Sequence, residues 1–162
     1  VTHVLFGKMV EMGVKDAANM GAAMAPAAAK TLCQFFNDTG AKTEDFDLIL
    51  TGDLGFVGSR LFERLMQAQG CPIAGRHNDC GLMIYDRLRQ DVHAGGSGCG
   101  CAASVLCSFI LTQIACQRLK NVLFMATGAL MSPTSVQQGE SIPGIAHLLH
   151  LSAFAGKEEE VR

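Results

Sequence analysis

The sequence predicts an α/β fold, with strands buried in a sheet and helices on both of its faces. Three features lead there. Short apolar runs bounded by turn residues alternate with longer segments of helical periodicity. Hydrophobic residues make up 49% of 162 positions, enough for one compact core. One helical segment is apolar nearly all round, so it needs protein on every side.

Taken in order, residues 1–12, "VTHVLFGKMVEM", read as a strand of β-branched and aromatic residues that ends at Gly13. "NMGAAMAPAAAKTLCQFFNDTG" reads as a helix with Pro26 in its first turn and Gly40 just past its end; its small residues imply close backbone approach. "DFDLILTGD" has the pattern of a strand buried on both faces, and "VGSRLFERLMQAQG" that of an amphipathic helix closed by Gly70. After an irregular stretch, "CPIAGRHNDCG", comes the glycine- and cysteine-rich "DVHAGGSGCGC", which leads into the apolar helix from about Gly100 to Arg118. "NVLFMATGAL" is another buried strand, "MSPTSVQQGESIP" a loop, and "GIAHLLHLSAF" a last strand. Residues 1–156 thus form the folded unit, and 157–162 a polar tail. A beginning in mid-strand, without Met, predicts one piece of something larger, and that further protein would cover the apolar helix.

Composition removes several function classes. A formal net charge of −2, with thirteen basic residues scattered along the chain, leaves no basic stripe for a nucleic acid. The longest apolar stretch, Ala102 to Cys116, is interrupted by Ser104, Ser108, Thr112 and Gln113, short of the roughly 20 apolar residues of a membrane span. No secretory signal is recognisable. Seven cysteines, an odd number set in apolar helical sequence, read as reduced thiols rather than a disulfide framework.

Around Ser97 the glycines lead into a helix N-terminus, where free amides and the helix dipole favour an anion. Neither nucleotide-binding glycine motif is present, so a carboxylate is the better guest. Gly95, Gly96, Ser97, Gly98 and Cys99 are the candidate donors, against the plainer reading that the glycines serve tight packing. A metal set of Cys99, Cys101, Cys107 and His93 lacks the paired spacing of zinc sites, and small buried thiols are commoner. No metal and no cofactor are expected. A thiol nucleophile would pair Cys99 or Cys80 with His77 or His93. Ser97 lacks the glycine two residues on that a nucleophile elbow requires. The polar group His77, Asn78, Asp79 and Cys80 reads as a turn ahead of a short strand. His147 and His150, three apart on a strand, point to opposite faces and are structural.

Taken together, "MGAAMAPAAAKTL", "DLILTGDLG", "HNDCGLMIYD", "DVHAGGSGCGC" and above all "ATGALMSPTSVQQGESIPGIAH" resemble the stage V sporulation protein AD family, a branch of the thiolase superfamily. The resemblance spans nearly the whole chain and corresponds to the C-terminal half of that family. It implies a thiolase-like fold in which this chain is one βαβαβαββ half of an αβαβα five-layer sandwich.

The catalytic pattern of the superfamily is missing from the matching positions. Gly52 and Asp53 stand where thiolases carry Asn-Glu and condensing enzymes His; Gly96 stands at the condensing enzymes' Asn; Thr127 and Ala129 stand near the thiolase Cys-x-Gly. The resemblance therefore implies no enzyme activity. Glycines in place of bulky catalytic groups would leave space and bare amides at the bottom of a cleft. It also implies binding of dipicolinic acid (pyridine-2,6-dicarboxylate), with calcium as a companion, during its uptake into the developing spore. The expected ligand-binding residues are Gly52, Asp53, His93, Gly95, Gly96, Ser97, Gly98, Cys99, Thr127, Ser132, Gln137 and Gln138, with Arg60 and Arg76 as candidate counter-charges. Implied partners are the other stage V sporulation A membrane proteins, the N-terminal half, and a second copy in a homodimer. The implied location is the forespore or spore, peripheral to the inner spore membrane. Competing expectations are a thiolase-like acyltransferase and a purely structural partner of a membrane channel.

Overall fold

The computed structural model describes residues 1–96 and 98–153; Ser97, and with it one predicted site residue, lies outside them, as does the tail 157–162. A five-stranded mixed sheet of order β1-β5-β4-β2-β3 forms the centre. Its strands are β1 (His3–Leu5), β2 (Leu48–Thr51), β3 (His77–Asp79), β4 (Asn121–Ala129) and β5 (Gly144–Ser152). β2 runs parallel to β3 and β4, while β5 pairs antiparallel with both β4 and β1.

The two-residue periodicity of the strands sends their side chains to two separate cores. Ile49, Leu123, Met125 and Leu148 pack beneath α1 (Met20–Thr39) and α2 (Gly55–Ala68). Leu50, Val122, Phe124 and Leu151 pack on the other face against Cys101, Val105 and Ile110. Those three belong to one helical run: α4 (Cys101–Val105), a π-helical turn (Leu106–Ile110) and α5 (Leu111–Ala115). The sheet thus has helices on both faces, as the alternating pattern predicts.

Several expectations are corrected. The first strand is only three residues long, with one further bridge from Val10 to Gly144; between them the Gly7 N–H donates to the His147 ring Nδ1 rather than to a β5 carbonyl. Pro26 is the seventh residue of α1 rather than part of its first turn. Packing places the helix start upstream: a Cβ on Gly21 would lie 2.1 Å from the Leu54 carbonyl oxygen, and Ala23, Met24 and Ala25 are buried. This tertiary contact outweighs the local preference of proline. His77–Asp79 is a strand, not a turn, and the short helix α3 (Cys80–Met83) follows it directly. Inside the predicted loop 131–143, Ser132 caps a five-residue helix, α6 (Pro133–Gln137).

The apolar helix is buried only on its sheet side in this chain. Phe109 is 48% and Leu111 44% exposed, and Ile84, Tyr85 and Leu88 add further uncovered apolar surface.

Candidate functional site

In open α/β sheets the space beyond the carboxyl ends of parallel strands is where ligands bind, because loops and helix starts converge there. Here β2 ends at Thr51, β3 at Asp79, and β4 runs on past Met125, the partner of Thr51. Above these ends lies an open cleft of about 530 Å³, with Met20 and Met24 on one wall, Ala102 and Leu106 on another, and Asp53, Gly98, Cys99, Ala126 and Thr127 between them.

Four of the sequence-predicted residues therefore meet, although Asp53 and Thr127 are 74 positions apart. The Thr127 hydroxyl donates to Asp53 Oδ1 at 2.9 Å and accepts the Asp53 N–H at 3.2 Å. The Gly98 N–H points to Asp53 Oδ2 at 3.4 Å. Gly52 lies beneath this pair and is buried. The space expected at Gly52 is not empty: a Cβ there would come within 2.8 Å of Thr127 Oγ1.

The remaining predicted residues sit elsewhere. The Gly95 and Gly96 N–H groups already donate to the Val92 and Gly81 carbonyls, at 2.8 and 2.7 Å. A Cβ on Gly96 would lie 2.3 Å from Ile84 Cγ2, so this glycine serves close packing. His93 is exposed, with Nε2 at 3.7 Å from the Asp91 carboxylate. Ser132, Gln137 and Gln138 are exposed on and beside α6 and do not line the cleft. Arg60 stacks on the Phe56 ring and Arg76 donates to the Phe46 carbonyl oxygen; neither lines the cleft.

The proposed thiol–imidazole pairs do not form among the described residues. Both ring nitrogens of His77 are engaged, Nδ1 with Glu63 at 3.1 Å and Nε2 with Thr51 at 3.0 Å. Burial pushes the Cys80 thiol up to about 12 and raises that of Cys101, disfavouring the thiolate a nucleophile needs.

Sequence reading missed a buried polar chain under the cleft, Glu63–His77–Thr51–Asp79. Its signal was a polar side chain at the carboxyl end of a strand, hidden by the turn-like composition of "HND". Asp79 has no solvent exposure. Its Oδ1 accepts the Gly55 and Gly81 N–H groups at 3.0 Å each; its Oδ2 accepts the Leu54 N–H at 2.9 Å and contacts the Thr51 hydroxyl at 2.6 Å.

Three contacts, of 3.1, 3.0 and 2.6 Å, link these four side chains. Burial, opposed by bonds from Thr51, Leu54 and Gly55, raises the Asp79 carboxyl; burial, opposed by Glu63, lowers the His77 imidazole. The Glu63 side chain is 38% exposed, whereas that of His77 is 1% exposed.

The family model for Stage V sporulation protein AD matches residues 1–152. The chain belongs to the stage V sporulation protein AD family. Stage V sporulation protein AD of Bacillus subtilis (strain 168) is 48% identical over 147 residues, which are 91% of this chain and 43% of that relative. The chain thus spans less than half the length of the family relative it matches. Among the described residues no helix is long and apolar enough to cross a membrane.

Proposed function

We propose that this chain is the C-terminal half of a thiolase-like protein that binds dipicolinic acid and serves its uptake into the developing spore. The carrying observation is the cleft at the strand ends, where Asp53, Gly98, Cys99 and Thr127 converge without an imidazole beside a thiol. Such a site can hold a small molecule, and among the described residues of this half no thiol stands beside an imidazole, the pairing that thiol-based acyl transfer uses.

The element order supports the half-domain reading. With the short helices set aside, it runs β1-α1-β2-α2-β3-helix-β4-β5, the βαβαβαββ order expected from the resemblance. The uncovered face of the α4–α5 helical run, with Phe109 and Leu111, would be the seat of the other half. An open cleft on this half is then one wall of a closed pocket.

Asp53 sets a condition on the ligand. Its carboxylate at 4 Å from a ligand carboxylate would cost about 4 kcal/mol at an effective dielectric constant near 20. The diacid must therefore arrive with calcium, or meet a basic group from outside this chain. In this reading Gly52, Asp53, Gly98, Cys99 and Thr127 form the site.

Calorimetric titration of the intact protein with dipicolinate, with and without calcium, tests the reading. Saturable binding that Ala126→Trp abolishes by filling the cleft is the expected result. Unchanged binding in that variant, or a covalent acyl adduct formed from an acyl thioester, would overturn it.

A further inference from the structure

We propose that Asp79 is a positioning residue of the cleft: its carboxyl group fixes the turn that carries Asp53 and, through Gly81, the turn that carries Gly98 and Cys99. The ligand-affinity part of this proposal rests on the dipicolinate reading; the structural part does not.

Asp79 stands where three segments cross. From the first, Leu54 and Gly55 donate their N–H groups to it, immediately after Asp53. From the second, Gly81 donates its own N–H while its carbonyl accepts the Gly96 N–H at 2.7 Å, two residues before Gly98. The third contact is the Thr51 hydroxyl at the end of β2. All four hydrogen-bonding directions of one buried carboxyl group are thus used, two of them on the first-turn amides of α2 and α3, Gly55 and Gly81.

The same turn is held from above. Gly55 has φ +64°, a conformation that suits glycine, and the following Phe56 N–H donates to the Ala94 carbonyl at 2.7 Å. A Cβ on Gly55 would lie 2.9 Å from that carbonyl oxygen. The turn 53–55 is therefore clamped between Asp79 below and the 94–96 segment above. Buried amides have no water to replace a lost partner, so removing the carboxyl group releases the clamp instead of loosening it slightly.

Asp79→Asn is nearly isosteric. Its amide oxygen can still accept from Gly55 and Gly81, but its NH₂ faces the Leu54 N–H, donor against donor. Asp79→Ala leaves all three amides unpaired. Thr51→Val removes only the hydroxyl contact, and Thr51→Ser keeps it.

The test is amide hydrogen exchange on the intact protein, read alongside calorimetric titration with dipicolinate. We expect Asp79→Asn to speed exchange in residues 53–56, 95–96 and 98–99 by about tenfold or more and to weaken dipicolinate binding by about tenfold, with α1, β4 and β5 unchanged. Asp79→Ala should act more strongly in the same segments. Thr51→Val should act weakly there, and Thr51→Ser should restore wild-type behaviour, a rescue that a general loss of packing would not give. Unchanged exchange in both Asp79 variants, loosening spread through the whole chain, or loosened turns with unchanged affinity would overturn the proposal. Should the unaltered protein bind no dipicolinate, the ligand reading fails and the exchange result alone decides the role of Asp79.

Discussion

Gly52→Ala probes the floor of the cleft. The added Cβ would stand 2.8 Å from Thr127 Oγ1, 3.1 Å from the Thr127 backbone nitrogen and 3.5 Å from Ala102 Cβ. The first contact is too short to persist, and the Thr127 hydroxyl can leave only by giving up its two hydrogen bonds with Asp53. Overpacking together with two weakened, partly exposed hydrogen bonds costs about 2–3 kcal/mol. Gly52 does not have a positive φ, so alanine recovers about 0.4–1 kcal/mol from the unfolded chain. The net loss is about 1–2 kcal/mol, measurable as a lower urea midpoint with an unchanged slope. Thr127→Ala removes the colliding oxygen, so the double variant should be more stable than the sum of single effects by about 1 kcal/mol. Additivity within about 0.4 kcal/mol, or a stabilising Gly52→Ala, would refute the packing argument.

Four further outcomes follow from the same structure. Asp53→Asn should strengthen the binding of calcium-free dipicolinate and reduce its dependence on calcium, measured by paired titrations; an unchanged calcium dependence would remove Asp53 from the site. Because burial lowers the His77 pKa, the unfolded chain holds more protons below 6.5, and stability should fall as the pH drops through that value. Urea midpoints across this range should show a shallower fall in His77→Gln, and equal slopes would contradict the assignment. Iodoacetamide at pH 8 should label Cys99 and spare Cys80 in native protein, with peptide mapping as the readout; labelling of Cys80 without unfolding would contradict its raised pKa. Gly58→Ala should destabilise by about 1–3 kcal/mol in chemical denaturation, since its Cβ meets the Gly21 backbone at 2.8 Å and no side chain there can yield; a neutral result would refute the tight α1–α2 crossing.

Much of the sheet was readable from local pattern. "DLILT" and "NVLFMAT" place apolar side chains on both faces, and β2 and β4 indeed feed two separate cores. The helix ending near Gly70 carries its apolar stripe at helical spacing, and α2 stops at Ala68. The start of α1 was not legible, because Gly21 and Gly58 set it through a contact between helices rather than through capping residues. Nor was the π-helical turn at Leu106–Ile110, which leaves no mark in an apolar run. For the site, the glycine-rich run pointed to Gly98 and Cys99 and the family resemblance to Asp53 and Thr127, but their meeting depends on strand order. Asp79 was hidden because "HND" has the chemistry of a turn, whereas burial at a strand end turns the same carboxyl group into a four-way anchor.

The most direct test of the receptor reading is a crystal structure of the intact protein grown with dipicolinate and calcium. The account predicts the diacid in the cleft between Cys99, Ala126 and Thr127, closed over by the other half, with no covalent bond to the protein. A ligand bound elsewhere, or a cleft left without ligand at saturating concentration, would contradict it.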